Sequence, residues 1–414
     1  MPGVHQPVRC SSVANRFVYG SLVGACDEIR PKGNMNESGS LVQRALALQD
    51  LIRDRGVAAE HAVSPDVEVV GALASSGLFA MCVPTVLGGA EADPLTTIAA
   101  IEAVAMADGA TGWVLMIGVE TTGIAAAYLS DAIAKRVIVD HPASIICGAL
   151  NPVVTATRVD GGVRVSGRWP FASGAERADW FWGQCVVEGG SRGETLEVLV
   201  PRADYTVVRT WNSPGLRGTG SHDVEVRDLF VPEERTTHVR LQRPSVDSAL
   251  FRMPLTSRLA YNKVGVSTGI ARAAIDHFVT LANERTPRFT KALLRERPRA
   301  QSALADAEAL LGSARGFCVD AVGDLWETVQ RGDAPSVRQH ALVRLACSHA
   351  TRSCAQAVSG LYEVAGTAMS DADHPLSRCF RDAHAVGQHI MVSPHAIDDA
   401  GRVLLGLDPL SASF

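Results

Sequence analysis

The sequence predicts an α+β fold with three successive parts: an N-terminal helical domain, a middle β domain and a C-terminal helical domain. Apolar residues recur at every third or fourth position before about Leu129 and again after Leu255, which is the period of a helix face. Between these segments apolar residues alternate with polar ones, as in a half-buried strand. We place the three domains at residues 35–137, 138–240 and 241–414.

A helix start at Asp93-Pro94 identifies the N-terminal helical domain. The aspartate can accept hydrogen bonds from the free amides of a first helical turn, and proline is tolerated at the first helical position. The apolar residues that follow are spaced by three and mark the buried face of the predicted helix (Leu95, Ile98, Ile101 and Val104).

Residues 1–34 precede the first helical pattern, and we interpret them as a disordered or non-native extension. The alternative is an export signal, because Phe17–Ala25 is apolar and Cys26 follows it as a lipid-modified cysteine would. That apolar segment is short and contains Tyr19 and Gly20, and Met35 offers a start of translation just before the helices. We therefore expect a cytoplasmic protein.

The middle domain carries a hairpin signal at Asp160-Gly161, between two runs in which valines alternate with polar residues. Three further runs have strand character: Phe181–Val187, Leu196–Val200 and Val224–Val231. Because no segment of helix length separates these strands, we predict an antiparallel β-barrel or sandwich and not a Rossmann fold.

The C-terminal domain has the helical period over about 160 residues. A helix start is again predicted at Ser393-Pro394, a capping residue followed by proline. The predicted helices cover Gly269–Glu284, Ala300–Val329, Ser336–Ala365, Leu376–His389 and Pro394–Leu405.

Composition excludes several classes of function. The 39 basic and 44 acidic side chains give a net charge of -5 without a basic block, so nucleic acid is not an expected partner. Apolar runs such as Gly123–Leu129 are far shorter than the roughly 20 residues that cross a bilayer, so no membrane partner is expected. Nine cysteines without any Cys-x-x-Cys motif indicate free thiols in a reducing compartment.

The common metal-binding and nucleotide-binding motifs are missing from the sequence. His384, His389 and His395 are spaced by five and six, whereas zinc ligands on one helix face need three or four, so no metal site is predicted. Gly-x-Gly-x-x-Gly and the Walker motif are absent. The usual nucleotide-binding loops are therefore disfavoured.

Several segments between about Leu41 and Leu407 resemble those of the acyl-CoA dehydrogenase fold in their order, spacing and residue identities. The resemblance implies an N-terminal helical domain, a β domain and a C-terminal four-helix bundle, with a flavin between the last two, and a homotetramer. The segments that carry it are Val83–Gly89, Asp108–Trp113, Gly215–Asp223 with Val231-Pro232, Gly269–Arg272, Glu284-Arg285, Pro375-Leu376 and Arg381–Ala383.

The same resemblance assigns residues to the flavin. Arg285 falls where the family has an arginine on the pyrophosphate, a role that suits a planar guanidinium, although a solvated arginine at a helix end is the alternative. Gly366 matches a glycine that approaches the dinucleotide of a neighbouring subunit, and the glycines after it are replaced by Thr367 and Met369. Phe289 completes this predicted cofactor group. The implied cofactor is reduced FAD, with FMN as an open alternative.

The family's catalytic base is missing here. Its dehydrogenases remove an α-proton with a glutamate nine residues after the arginine of the Arg-Asp pair, which corresponds to Ile390, or with one that corresponds to a position near Ala260. No acidic residue lies between Asp247 and Asp276. Because a hydrocarbon side chain cannot accept a proton, α,β-dehydrogenation has lost its general base.

His389 instead resembles a histidine of the family's oxygenase branch, which takes reduced flavin from a separate reductase. The segment Trp169–Gly174 is similar to that branch too, and the resemblance places Phe171, Ala172 and Ser173 at the flavin. His389 and Ser173 are the predicted catalytic residues. The alternatives are a histidine bonded to a carbonyl at a helix end and an ordinary turn serine.

The sequence thus predicts the oxygenase component of a two-component flavin-dependent monooxygenase. The branch uses reduced flavin and O2, forms a C4a-hydroperoxide and hydroxylates an aromatic molecule such as a phenol or an indole, with the flavin supplying the chemistry. Trp113 and Ile390 are the predicted substrate-pocket residues, although Trp113 can also be a core indole. Two alternatives stay open: an acyl-CoA dehydrogenase with an unrecognised base, and a helical scaffold without catalytic activity.

Overall fold

Helices, a sheet and further helices follow one another in residues 35–410, the part of the chain that the computed structural model describes, and this confirms the predicted fold class. The interpretation of residues 1–34 falls outside the described residues. The helices are α1 (Met35–Ala47), α2 (Gln49–Ala62), α3 (Val67–Ser75), α4 (Pro94–Ala105), α5 (Gly109–Tyr128), α6 (Asp131–Ala134), α7 (Ala249–Arg252), α8 (Leu255–Glu284), α9 (Pro298–Gln330), α10 (Val337–Ala365), α11 (Pro375–Val386) and α12 (His395–Leu404). The strands are β1 (Ile146–Val159), β2 (Gly162–Trp169), β3 (Trp180–Val187), β4 (Thr195–Pro201), β5 (Thr206–Val208), β6 (Asp223–Pro232) and β7 (Thr236–Thr237).

Aspartates cap the two helices that form the centre of the N-terminal domain. Asp93 Oδ1 accepts the Thr96 N–H at 2.9 Å, which confirms the predicted start of α4. Asp108 caps α5 in the same way and accepts the Thr111 N–H at 2.7 Å. Helix α5 is long and apolar enough to cross a membrane, but 94% of its most apolar 18-residue window is buried by the folded chain. It is a core helix.

The sheet in the described residues has the strand order β5-β6-β2-β1-β3-β4-β7. The predicted hairpin is confirmed: β1 and β2 pair antiparallel around Asp160-Gly161, and Gly161 has the positive φ of 74° that a tight turn favours. The prediction of an antiparallel sheet holds for five of the six strand pairs and is wrong for β1 and β3, which are parallel.

The parallel pair arises without a helix between its strands. After β1 the chain returns along β2, and the loop of residues 170–179 then brings it back so that Ile146 pairs with Trp180. A strand and a loop therefore connect the two parallel strands, whereas the prediction assumed that parallel pairing needs a helix between them. This loop carries Ser173.

The long C-terminal helices pack side by side. Three hydrogen bonds join α8 to α10 and the turn after it at nearly constant offset: Thr256 to His340, Ser267 to Thr351, and Arg285 to Thr367. Helices α8 and α10 therefore run parallel. Helix α9 connects them, and Gln339 at the start of α10 donates to Thr328 near the end of α9, so these two helices are antiparallel.

Two predicted boundaries near the C-terminus need correction. Helix α11 ends at Val386 and not at His389, and a 3₁₀ turn over Ile390–Val392 follows. Ser393 does not cap the last helix, because its hydroxyl donates to the Ile390 carbonyl at 3.1 Å, and α12 begins at His395. Local hydrogen bonding of a serine hydroxyl competes with capping in this way.

Gly269 in α8 allows close packing on α4. A Cβ added to it would lie 2.6 Å from the Ala105 Cβ and 2.7 Å from the Glu102 carbonyl oxygen. We expect Gly269→Ala to lower the free energy of unfolding by about 1–3 kcal/mol through overpacking. The control is Gly71→Ala in α3, where nothing lies within 4 Å of an added Cβ and helix propensity should raise the stability by about 0.5–1 kcal/mol. Equal effects of the two substitutions in urea unfolding would contradict this packing.

Candidate functional site

Three of the predicted residues meet where the three parts of the fold join. Trp113 lies in the first turns of α5, Ser173 in the loop after β2, and His389 in the turn after α11. The Trp113 Nε1–H donates to Ser173 Oγ at 3.1 Å, and the Trp113 and His389 rings meet edge to face with centroids 5.4 Å apart. The indole thus lies between the two predicted catalytic side chains.

Backbone hydrogen bonds hold the Ser173 loop in place. The Ala172 N–H donates to the His222 carbonyl at 2.9 Å, and the Gly174 N–H donates to the Thr219 carbonyl at 3.0 Å. Phe171 has a φ of +65°, which is rare for a bulky residue, and 65% of its side chain is exposed. A strained, exposed aromatic residue at such a position is typical of a ligand-binding loop.

The Ser173 hydroxyl belongs to a buried cluster of three hydroxyls. Ser173 Oγ lies 2.7 Å from Ser221 Oγ, which lies 2.7 Å from Thr219 Oγ1. The Thr219 hydroxyl donates in turn to the Leu216 carbonyl at 2.7 Å. The loop Gly215–Ser221, which is part of a segment that resembles the family, therefore holds the Ser173 hydroxyl through hydrogen bonds.

The hydrogen bonds of His389 identify its tautomer. The Met391 N–H donates to His389 Nδ1 at 3.3 Å, so in the neutral ring the proton is on Nε2. Burial, together with the Lys263 ammonium and the Arg344 guanidinium, lowers the pKa of His389 well below 6.5. The side chain is therefore a neutral imidazole at pH 7 that offers an N–H donor. This geometry favours a hydrogen-bond donor role for His389 over a proton-accepting one.

A buried ion pair lies near this group. Lys263 of α8 is fully buried, and its Nζ donates to both carboxylate oxygens of Glu120 at 2.8 and 2.6 Å. Glu120 lies on α5 seven residues after Trp113, hence on the same face of the helix. Burial raises the pKa of Glu120 and lowers that of Lys263, and the attraction between the two charges opposes both shifts.

The sequence reasoning missed this pair. The signal that could have revealed it is that Glu120 is the single charged residue in the 20-residue segment Gly109–Tyr128. A carboxylate in so apolar a helix needs a buried partner. Its partner, in contrast, lies 143 positions later in the chain and could not be found from spacing.

A second ionic group joins all three parts of the fold. The Arg378 guanidinium on α11 contacts both Asp108, the cap of α5, and Glu60 of α2. On the same helix Asp382 Oδ1 accepts the Leu216 N–H at 2.6 Å. Helix α11 therefore holds the start of the Trp113 helix and the loop that supports Ser173.

Asp382 should make stability depend on pH. Burial and the nearby Asp108 carboxylate raise its pKa to about 7, against opposing contributions from the Leu216 N–H and Arg378. Because the folded state binds this proton more tightly than the unfolded state, its stabilising contribution declines as the pH rises from about 4 to about 7. Asp382→Asn keeps an acceptor for Leu216 and cannot ionise. We expect the stability of the native protein, relative to this variant, to fall over that range in urea unfolding and to level off above it, and a constant difference would contradict the assignment.

The sequence comparisons agree with this arrangement. The family descriptions "Acyl-CoA dehydrogenase, N-terminal domain" and "Acyl-CoA dehydrogenase, C-terminal domain" match residues 44–140 and 263–394. The chain is 34% identical to an indole-3-acetate monooxygenase of Pseudomonas putida over 367 residues, which are 88% of this chain and 94% of that protein. The chain belongs to the acyl-CoA dehydrogenase family. Within this family its relatives are flavin-dependent monooxygenases.

Another relative and two solved structures support the same branch of the acyl-CoA dehydrogenase family. The oxygenase component of the FADH2-dependent resorcinol hydroxylase of Rhizobium sp. (strain MTP-10005) is 30% identical, with 89% of this chain and 95% of that one covered. The 3-HSA hydroxylase of Rhodococcus sp. RHA1 superposes with a TM-score of 0.83 at 28% identity, covering 90% of this chain and 98% of that one. XiaF of Streptomyces sp., in complex with FADH2 and glycerol, gives 0.85 at 25% identity, covering 96% and 100%.

The positions of the dehydrogenase base hold no acid in the folded protein. Ala260 is fully buried, and Ile390 is 51% exposed in the turn after His389. Glu120 is a buried carboxylate near Ala260, and Lys263 holds both of its oxygens. The acyl-CoA dehydrogenase fold is thus retained here without a free carboxylate at these two positions.

The remaining predicted cofactor residues form a separate group. The Arg285 guanidinium donates to Thr367 Oγ1 at 2.7 Å, so the structure brings Arg285, Thr367 and Gly366 together. Phe289 is fully exposed and has a φ of +61°. Gly366 has φ 68° and ψ -146°, a conformation open to glycine almost alone. These features suit a ligand surface, but the group does not reach Ser173 and His389.

Helix geometry shows how far apart the two groups lie. Gly387, two residues before His389, packs against Thr351 of α10. Ala365, the residue before Gly366, follows Thr351 by 14 positions, or about 21 Å along the helix axis. The five-carbon ribityl chain that joins a flavin ring to its phosphates is much shorter than this distance.

The group around Trp113 fits a flavin ring edge. Within residues 35–410, Ser173 Oγ bonds Trp113 and Ser221 and keeps one lone pair without a partner, and His389 Nε2 has no hydrogen-bond partner. A hydrogen-bond acceptor and a hydrogen-bond donor therefore flank the Trp113 indole.

Among residues 35–410 no group of three or more His, Cys, Asp or Glu side chains could hold a metal ion. Seven cysteines of the described chain are free thiols.

Proposed function

We propose that this flavin-dependent monooxygenase is the oxygenase component of a two-component system that hydroxylates an electron-rich aromatic small molecule. The observation that carries the proposal is the contact of Trp113 with both Ser173 and His389, in a site beside which Lys263 neutralises the buried Glu120 carboxylate. Such a site offers hydrogen bonds to oxygen, whereas a carboxylate held by an ammonium is not free to remove a carbon-bound proton.

Each residue has a role in this proposal. When bound, reduced flavin supplies the activation of O2. Ser173 orients the ring edge of the flavin, and Trp113 forms an apolar wall that excludes water. His389 donates its Nε2–H to an oxygen atom of O2 or of the substrate, and its lowered pKa keeps it neutral while it does so. Ile390, exposed beside His389, contacts the aromatic substrate.

A second copy of the chain supplies the phosphate end of the site in this proposal. Arg285, Phe289, Gly366 and Thr367 lie too far along α8 and α10 to reach a flavin whose ring contacts Ser173 of the same chain. Phe289, Gly366 and Thr367 are exposed, and Phe289 and Gly366 have positive φ angles, which suits a surface that receives a ligand from outside. We infer a homo-oligomer, with a homotetramer as the expected form.

The names of the relatives guide the choice of substrate. Indole-3-acetate and resorcinol are both electron-rich aromatic molecules, and an apolar wall of Trp113 beside the neutral His389 suits such a ring. FADH2 is named with one relative and one similar structure, so reduced FAD is the proposed cofactor and FMN the second choice. A separate flavin reductase would supply it, and the buried free thiols agree with a cytoplasmic location.

One observation bears on the alternative of an acyl-CoA dehydrogenase. Glu120 is a buried carboxylate on the same helix face as Trp113, and a dehydrogenase would need it as the base. The Lys263 ammonium contacts both of its oxygens, so the carboxylate is not free to approach a substrate. This pairing favours the monooxygenase.

A coupled assay tests the proposed function. The protein is supplied with FAD, a flavin reductase, NADH and a panel of phenols and indoles in aerated buffer, and products are identified by mass spectrometry. We expect a hydroxylated product from at least one aromatic substrate. A parallel sample with tightly bound oxidised FAD receives a series of acyl-CoA thioesters anaerobically. Bleaching of the flavin there, with no product from the aromatic panel, would establish the dehydrogenase.

A further inference from the structure

The hydroxyls of Ser173, Ser221 and Thr219 form a chain of hydrogen bonds that ends at the Leu216 carbonyl, and this last acceptor determines the direction of every bond in the chain. The Leu216 carbonyl can only accept, so the Thr219 hydroxyl proton points to Leu216. Thr219 Oγ1 must then accept from Ser221, which uses the single proton of the Ser221 hydroxyl. The bond between Ser221 and Ser173 can therefore be formed only with Ser173 as the donor.

Ser173 is consequently left as an acceptor. Its own proton points to Ser221, and one lone pair receives the Trp113 Nε1–H. A hydroxyl oxygen has two lone pairs, so one more bond is available, and Ser173 can only accept it. The cluster is buried: Ser173 and Ser221 are 6% and 5% exposed, and Thr219 is fully enclosed. Water therefore cannot easily reverse this order.

The two redox states of a flavin differ in their hydrogen bonding at N5, an atom of the ring edge that the proposed function places at Ser173. N5 of the reduced ring carries a hydrogen and is a donor, whereas N5 of the oxidised ring has a lone pair and is an acceptor. We propose that Thr219 and Ser221 fix the Ser173 hydroxyl as an acceptor and thereby make the site bind reduced flavin in preference to oxidised flavin. The inference rests on the proposed function, in which Ser173 lies at the flavin ring.

This arrangement suits an oxygenase that receives its flavin already reduced. An acceptor at N5 gains a hydrogen bond with reduced flavin and faces an unpaired lone pair with oxidised flavin. One hydrogen bond made in one state and lost in the other corresponds to about a tenfold difference in Kd. Thr219 and Ser221 are positioning residues, because they act through Ser173.

The test measures binding and not turnover. Dissociation constants of oxidised FAD and of dithionite-reduced FAD are determined anaerobically by equilibrium dialysis, and their ratio is compared between variants. In Ser221→Ala the Ser173 hydroxyl is free to rotate and donate, so oxidised FAD should bind more tightly and the preference for reduced FAD should fall about tenfold. In Ser173→Ala the preference should fall because reduced FAD binds less tightly. Ser221→Ala thus loses the preference through tighter binding of oxidised FAD, and Ser173→Ala loses it through weaker binding of reduced FAD.

Two further variants show whether a changed ratio of dissociation constants comes from the hydroxyl chain or from a misfolded protein. Thr219→Val keeps the side-chain shape and frees the Ser221 proton, so it should change the ratio in the same direction as Ser221→Ala. Ser353→Ala removes another buried hydroxyl, in α10, and should leave the ratio unchanged. Circular dichroism checks each fold.

An unaltered ratio in both Ser221→Ala and Thr219→Val would overturn the inference, as would a native protein that binds both forms equally. The proposed function is judged separately, because hydroxylation by the native protein can persist when the ratio does not respond to these variants. A native protein that binds neither form would overturn both.

Discussion

Replacing His389 by alanine should reduce the formation of hydroxylated product by about 10²–10³-fold while flavin binding persists, because removing one preorganised hydrogen-bond donor costs about this factor. The reason lies in the geometry of the imidazole. Its Nδ1 is occupied by the Met391 N–H, and its Nε2–H points to no partner among residues 35–410 beside the Trp113 ring. Product is measured by mass spectrometry in the reductase-coupled assay, with NADH consumption recorded at the same time. NADH use without product would show that flavin is still oxidised but no longer coupled to hydroxylation.

Two further substitutions separate the possible roles of His389. His389→Gln keeps an N–H donor near the end of the side chain and should retain more activity than the alanine variant, whereas a general base could not be replaced in this way. His384→Ala is the matched control, because that exposed imidazole on α11 contacts Ser359 and lies away from Trp113. Since burial and nearby cations lower the pKa of His389 well below 6.5, we also expect turnover to show no acid limb from this residue near pH 6.5. Equal loss in the glutamine and alanine variants would contradict the donor role.

Lys263→Met should lower the free energy of unfolding by about 3–5 kcal/mol, which is the usual effect of leaving one charge of a buried pair without its partner. Lys263 is fully buried and donates to both oxygens of Glu120. Without the ammonium, the pKa of Glu120 should rise further, because burial already raises it and Lys263 is the main group that opposes the rise. The folded variant would then bind a proton that the unfolded chain releases, so its deficit should grow as the pH rises above about 4.5.

The double variant Lys263→Met with Glu120→Gln isolates the pair. It removes both charges, so it should recover a large part of the stability lost by Lys263→Met alone. Urea unfolding of the native, single and double variants at pH 5 and pH 8 provides the comparison. Arg315→Met is a useful reference, because that partly exposed arginine pairs with Glu102 of α4 and not with Glu120. A double variant as unstable as the single one would show that Lys263 acts through packing and not through its charge.

Features set by neighbouring residues could be predicted from the sequence. Asp93-Pro94 and Asp160-Gly161 act through hydrogen bonds and backbone preferences within a few positions, and both lie where the pattern placed them. The end of α11 was predicted three residues too late, because the apolar period continues through a 3₁₀ turn that His389 itself caps.

Features set by distant residues could not be predicted in this way. The parallel pairing of β1 with β3 depends on a crossover without a helix, and the partner of Glu120 depends on how α8 packs on α5. The resemblance did identify Ser173, His389 and Trp113, which the fold brings into contact. It assigned Gly366 to the flavin of a neighbouring subunit but gave Arg285 no such separate place. In a single chain α10 separates both Arg285 and Gly366 from the residues around Trp113.

The incorporation of isotopic oxygen tests the proposed activity most directly. The native protein, reduced FAD and an aromatic substrate that is hydroxylated in the panel are mixed under ¹⁸O2 in ordinary water, and the product is analysed by mass spectrometry. A monooxygenase predicts that the new hydroxyl carries one ¹⁸O atom and that His389→Ala lowers the amount of this labelled product. A product whose new oxygen comes from water, or an acyl-CoA that is desaturated with no label incorporated anywhere, would contradict the account.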